Sequence, residues 1–153
     1  MMQTPTIAPF PGKQTEFFRS RSDRILYGGA RGGGKSFDLA LKVGCQPVIW
    51  HYEYNGHRID VKAYRQLKAQ GKSAHVVVDA INIDFPDFKA LLIRRTYPQL
   101  EINLKPECDK IYPLLGGHWI ERSHCYEFPS GARIYLRHCK DRNALNDFIG
   151  GIT

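Results

Sequence analysis

Five glycines, an arginine, a lysine and a serine are packed into Tyr27–Ser36, YGGARGGGKS, between two apolar runs. Glycine loses more backbone freedom on ordering than any other residue. A cluster of this density is therefore retained only where bare backbone is needed. The spacing Gly29-x-x-x-x-Gly34-Lys35-Ser36 is the P-loop pattern. Its chemistry explains the glycines. Phosphate oxygens must be wrapped by backbone N–H groups at close range, and side chains would block the approach. Arg24–Tyr27 (RILY) reads as a short strand before the loop, and Ser36–Val43 (SFDLALKV) as a helix after it. Phe37, Ala40 and Leu41 share one helix face, and Gly44 supplies an expected stop. The positive end of that helix adds to the attraction for anions. In this frame Gly29, Gly32, Gly33 and Gly34 shape the loop. Lys35 reaches the β- and γ-phosphates of ATP, and the Ser36 hydroxyl ligates Mg²⁺.

The 153 residues suit one domain with a real core. Net charge is +7, which favours anionic partners such as nucleotides or nucleic acid. No apolar run approaches the length of a membrane span, and the N-terminal MMQTPTIAPFPG has no signal-peptide pattern. Cys45, Cys108, Cys125 and Cys139 form no CxxC, which suits reduced thiols in a cytosol. His124-Cys125 and His138-Cys139 fall on two arms of one expected hairpin. Their spacing matches no standard zinc finger, so they read as ordinary hairpin side chains.

Gln14–Arg21 (QTEFFRSR) reads as a short helix with Phe17 and Phe18 inward. WHYEYNGHRI carries Asn55-Gly56 between alternating residues, a hairpin signal, and VKAYRQLKAQ then reads as a helix stopped by Gly71. This basic block also holds Trp50, Tyr52, Tyr54 and Tyr64, a composition seen on nucleic-acid surfaces and, more often, on small solvated subdomains. His75–Val78 is a short apolar run ending at Asp79, and Ala90–Ile93 (ALLI) a buried strand followed by Arg94-Arg95. Those two arginines are expected to pair with carboxylates. Gln99–Tyr112 reads as helical, with a break or a start at Pro106. Trp119–Phe128 and Arg133–His138 alternate around Pro129-Ser130-Gly131 as a β-hairpin.

The order of these pieces resembles the N-terminal ATPase region of tailed-phage terminase large subunits, the motors that package DNA. KQTEFFRS resembles the family's glutamine-bearing adenine motif, with Gln14 at the matching position. YGGARGGGKS resembles its P-loop, which carries an arginine, here Arg31. ALLIRRTYPQL resembles the second core strand and its turn, and FPSGARIYLRHCKD the hairpin leading to the acidic strand. The resemblance covers most of residues 10–150 outside roughly 46–80.

It implies an α/β fold: a RecA-like P-loop NTPase core, a parallel sheet flanked by helices, with a β-hairpin and residues 46–80 as an insertion. It implies ATP and Mg²⁺ as cofactors, with catalytic roles for Lys35 and Arg31. Arg31 is expected on the γ-phosphate or on a neighbouring subunit, and Gln14 on the adenine edge. Double-stranded DNA, a portal and a small terminase subunit are the implied partners. A homo-oligomeric ring in the host cytoplasm is the implied setting. The family's acidic Walker B strand, its Asp-Glu pair and its nuclease domain have no counterpart in residues 1–153. The expectation is thus one partial ATPase domain that binds ATP and hardly hydrolyses it alone. Two other readings stand beside it. One is a small P-loop kinase with Asp79 as metal-side acid. The other is a basic DNA-binding module with a degenerate ATP site.

Overall fold

A computed structural model describes residues 12–22 and 35–139. The chain is α/β, with two sheets, one of them mixed and containing a parallel pair, flanked by helices. Among the described residues no helix is long and apolar enough to cross a membrane. The strand expected at Arg24–Tyr27 and the tail beyond Cys139 lie outside the described residues.

Helix α1 (Lys13–Arg19) is followed by α2 (Lys35–Cys45). The two are bolted together by Lys42, whose ammonium donates to the carbonyls of Ser20 at 2.6 Å and Phe18 at 3.1 Å. Those carbonyls belong to the end of α1, where free acceptors accumulate. Burial, and then the nearby Arg21, hold the Lys42 pKa below its ordinary value.

The first sheet is local in sequence. Strands β1 (Pro47–Tyr54), β2 (His57–Ile59) and β3 (His75–Ile81) lie in the order β2-β1-β3, all antiparallel. Asn55 and Gly56 both have positive φ in the β1–β2 turn, as an Asn-Gly hairpin requires. Helix α3 (Val61–Ala69) starts at Asp60, whose carboxylate accepts from the Ala63 N–H at 2.7 Å. It ends before Gly71, at φ 74°.

The second sheet has the order β4-β7-β6-β5, built from β4 (Lys89–Arg94), β5 (His118–Ile120), β6 (Cys125–Glu127) and β7 (Arg133–His138). Strand β7 is antiparallel to β6 and parallel to β4, in register from Lys89↔Arg133 to Arg94↔His138. Ile134, Tyr135 and Leu136 are buried in succession, so β7 is covered on both faces, as parallel strands usually are.

Between β4 and β5 runs a helical segment: α4 (Tyr97–Gln99), a π-helical stretch Leu100–Leu104, α5 (Lys105–Ile111) and a 3-10 turn Tyr112–Leu115. Thr96 caps its start. Pro106 has no N–H to give the preceding turn and crowds the carbonyl behind it, and the wide π turn lies just upstream. Leu100, Leu104, Cys108 and Ile111 form the buried stripe of this segment. They join Ala40 and Leu41 of α2 and Leu92, Tyr126, Ile134 and Leu136 of the sheet in one core. Tyr112 lies at its centre, with its hydroxyl on the Ala40 carbonyl at 2.7 Å and its ring edge-on to Tyr126 and Phe128.

Gly44 does not stop α2. The helix continues to Cys45, and Gly44 is buried where an added Cβ would lie 3.0 Å from the Tyr112 ring. Its role is close approach between α2 and the Tyr112 segment.

Candidate functional site

Lys35 and Ser36 lie at the start of α2 as described, Lys35–Cys45. The end of β4 meets them there. Arg94 Nη2 donates to Ser36 Oγ at 2.9 Å. The Arg94 main chain is held by β7, since its carbonyl accepts from the Cys139 N–H at 2.8 Å. Next to this point the Tyr97 ring stands edge-on to His138, centroids 5.6 Å apart. The C-terminal ends of the parallel pair and the N-terminus of α2 therefore converge. Open α/β sheets place ligands at that edge, outside the carboxyl ends of their strands. Asp38, fully buried one turn into α2, puts a carboxylate near the positive helix end.

Gly29, Arg31, Gly32, Gly33 and Gly34 lie outside the described residues, and Gln14 falls in α1. Of the sequence-predicted site residues, Lys35 and Ser36 are thus the pair placed together at the mouth of the second sheet. Arg94 joins them. Its place at a strand end was readable, but its partner is a hydroxyl and not the expected carboxylate. Nothing local in the sequence indicates a contact across so long a stretch of chain.

Asp79 stands elsewhere. It lies inside β3 of the first sheet, and its Oδ2 is 2.7 Å from His51 Nδ1. The other ring nitrogen of His51 is 2.5 Å from Glu53 Oε2. His51 is thus held between two carboxylates, and the bonds to Asp79 first and Glu53 second raise its pKa above the ordinary histidine value.

His124, Cys125, His138 and Cys139 do lie on neighbouring strands and their flanks, but Cys125 is buried. Among the described residues no three His, Cys, Asp or Glu side chains are arranged to hold a metal ion. All four cysteines are free thiols.

A shallow groove lies between α2, α1 and the start of β4, further along α2, lined by Phe17, Leu39, Lys42, Val43, Phe88 and Ala90. Neither Ser36 nor Arg94 lines it.

No family model, no curated protein and no solved structure matches this chain.

Proposed function

We propose that this chain is the ATP-binding part of a phage DNA-packaging terminase motor, working in the cytoplasm of the bacterial host. One observation carries the reading: the sequence GGARGGGKS runs into α2, whose Ser36 hydroxyl is met by Arg94 from the end of a parallel strand.

The residues fit a nucleotide triphosphate with its metal. Gly29, Gly32, Gly33 and Gly34 offer unobstructed amides, and Lys35 offers a point charge for the outer phosphates. Ser36 offers a hydroxyl for Mg²⁺, which would polarise the β- and γ-phosphates when bound. Arg31 serves the γ-phosphate or a neighbouring copy, and Gln14 the adenine edge. Arg94 adds a second fixed cation beside Ser36. Its guanidinium and a divalent cation would compete for one hydroxyl, so with Mg²⁺ held by Ser36 the Arg94 guanidinium would be available to phosphate oxygen.

In this reading DNA is the translocated substrate, a portal and a small terminase subunit are the assembly partners, and the working form is a ring. The kinase reading loses support because its acid, Asp79, is engaged by His51 in the other sheet. The full chain titrated with ATP and Mg²⁺ by calorimetry tests the proposal. Binding is expected for the parent and is lost in Lys35→Ala. Equal affinity in both forms would sink it.

A further inference from the structure

We propose that the outer face of α3 is a docking surface for the phosphate backbone of double-stranded DNA. The observation is one of charge. Between Asp60 and Asp79 the chain contains no carboxylate, but it holds Lys62, Arg65, Lys68 and Lys72. All four are exposed. None makes an ion pair among the described residues, unlike Lys13, Lys105, Lys110 and Arg133, which do. At a helical step of 100° per residue, Lys62, Arg65 and Lys68 fall on one side of α3, with Lys62 and Lys68 about 9 Å apart along its axis. Lys72 continues the line past the helix end. The opposite side of α3, bearing Ala63, Tyr64 and Leu67, turns inward.

The sheet beneath keeps the nearby acids away from this line. Strand residues alternate between faces. Tyr52, which stacks on Tyr64 of α3 with centroids 4.4 Å apart, lies on the helix side. His51 and Glu53 therefore point to the reverse face, and Asp79 is bonded to His51 there. Asp60 is tied to the first turn of α3 through the Ala63 N–H. The α3 face is left with uncompensated positive charge.

The aromatic rings favour duplex over single strands. A single-strand reader offers open ring faces on which bases stack. Here Tyr52 and Tyr64 cover each other, and the Trp50 ring is capped by the Arg21 guanidinium at 4.1 Å. These three rings are used for internal packing, which leaves the cations of α3 as the main feature of its outer face. Such a surface reads backbone charge without sequence preference. The inference extends the packaging reading by naming a DNA-facing surface, but its physical basis is independent of the loop at Gly29–Ser36.

The test is fluorescence anisotropy of the full chain with a labelled random-sequence DNA duplex of about 20 base pairs over a salt series. The variant is Lys62→Gln, Arg65→Gln, Lys68→Gln, Lys72→Gln combined. Its control, Lys13→Gln, Lys89→Gln, Lys110→Gln, Arg122→Gln combined, removes the same charge elsewhere. The α3 variant is expected to bind about 10- to 100-fold more weakly at low salt, with a salt slope flatter by roughly 2–4. The control is expected to stay within a few-fold of the parent. Circular dichroism confirms that both variants fold. Unchanged duplex binding in the α3 variant, an equal loss in the control, or tighter binding of parent to heparin or single strands than to duplex would each overturn the proposal. ATP titration of the same variant separates the two readings. Loss of duplex binding with ATP affinity intact supports the α3 surface whatever the outcome for Lys35→Ala.

Discussion

Arg94 Nη2 and Ser36 Oγ are 2.9 Å apart, so the last residue of β4 and the first turn of α2 share a hydrogen bond. The hydroxyl that accepts it is the one expected to ligate Mg²⁺. A guanidinium and a metal at one oxygen repel each other, and a guanidinium also substitutes for metal as phosphate counter-charge. Removing it should therefore increase metal dependence by both routes. In Arg94→Gln, the ratio of ATP affinity with Mg²⁺ to affinity without it is expected to rise about 3- to 10-fold, up to about 1.4 kcal/mol. Paired calorimetric titrations measure it. A ratio unchanged or lowered would show that Arg94 does not contest the metal position.

Gly44 and Gly117 should respond to alanine with different severity. At Gly44 the new Cβ meets the Tyr112 ring at 3.0 Å. Tyr112 cannot yield, being fully buried, anchored on the Ala40 carbonyl and wedged against two rings. Overpacking outweighs the helical preference of alanine, for a net loss of about 1 kcal/mol. At Gly117 the Cβ would lie 2.7 Å from the Phe128 ring and 3.0 Å from the Tyr112 carbonyl oxygen, which is backbone. The expected loss there is about 3 kcal/mol. Urea unfolding of both variants checks the order, and a Gly44→Ala protein more stable than the parent would contradict it.

The His51 cluster should make the first sheet sensitive to pH. Its pKa is raised in the folded protein, chiefly by Asp79 and then Glu53, so the folded state holds the proton more tightly than the unfolded chain. The associated stability is fully present below the unfolded pKa and is lost as pH rises through the folded one. Side-chain NMR titration should find the His51 midpoint above the ordinary histidine range, and Asp79→Asn should move it down. A His51 midpoint at or below that range would refute the assignment.

Two thiols should be chemically silent. Burial pushes the Cys108 thiol up to about 12 and the Cys45 thiol up to about 11. Alkylation depends on thiolate and on access. With iodoacetamide at about pH 8, both should react at least about 100-fold more slowly in the native protein than in urea. Peptide mapping of the labelled cysteines gives the rates. Native labelling of Cys108 at the unfolded rate would place it outside the core.

Local chemistry made several elements legible. Asn55-Gly56 specified the β1–β2 turn, Gly71 the end of α3, and Pro106 the start of α5. The apolar spacing after the glycines specified a helix over Ser36–Val43, which lies within α2. What escaped depends on partners distant in sequence. Gly44 resembled a helix stop because glycine usually is one there, whereas the approach of Tyr112 explains it. Asp79 resembled the end of a strand, but pairing with β1 carries β3 on to Ile81. The Arg94–Ser36 bond and the parallel pairing of β4 with β7 leave no periodic trace. Each is decided by tertiary packing alone.

The parallel register of β4 and β7 also fixes an order of assembly. Among the described strands Leu92 lies against Leu136 of β7 alone, and the chain between them must first double back through α5 and the β5–β6–β7 meander. Those short-range pairings close cheaply, whereas the union of β4 with β7 carries a long loop. Pulse-labelling during refolding should protect β6 and β7 amides before those of β4. A ribosome that stalls before Arg133 holds β4 without β7, its partner among the described strands.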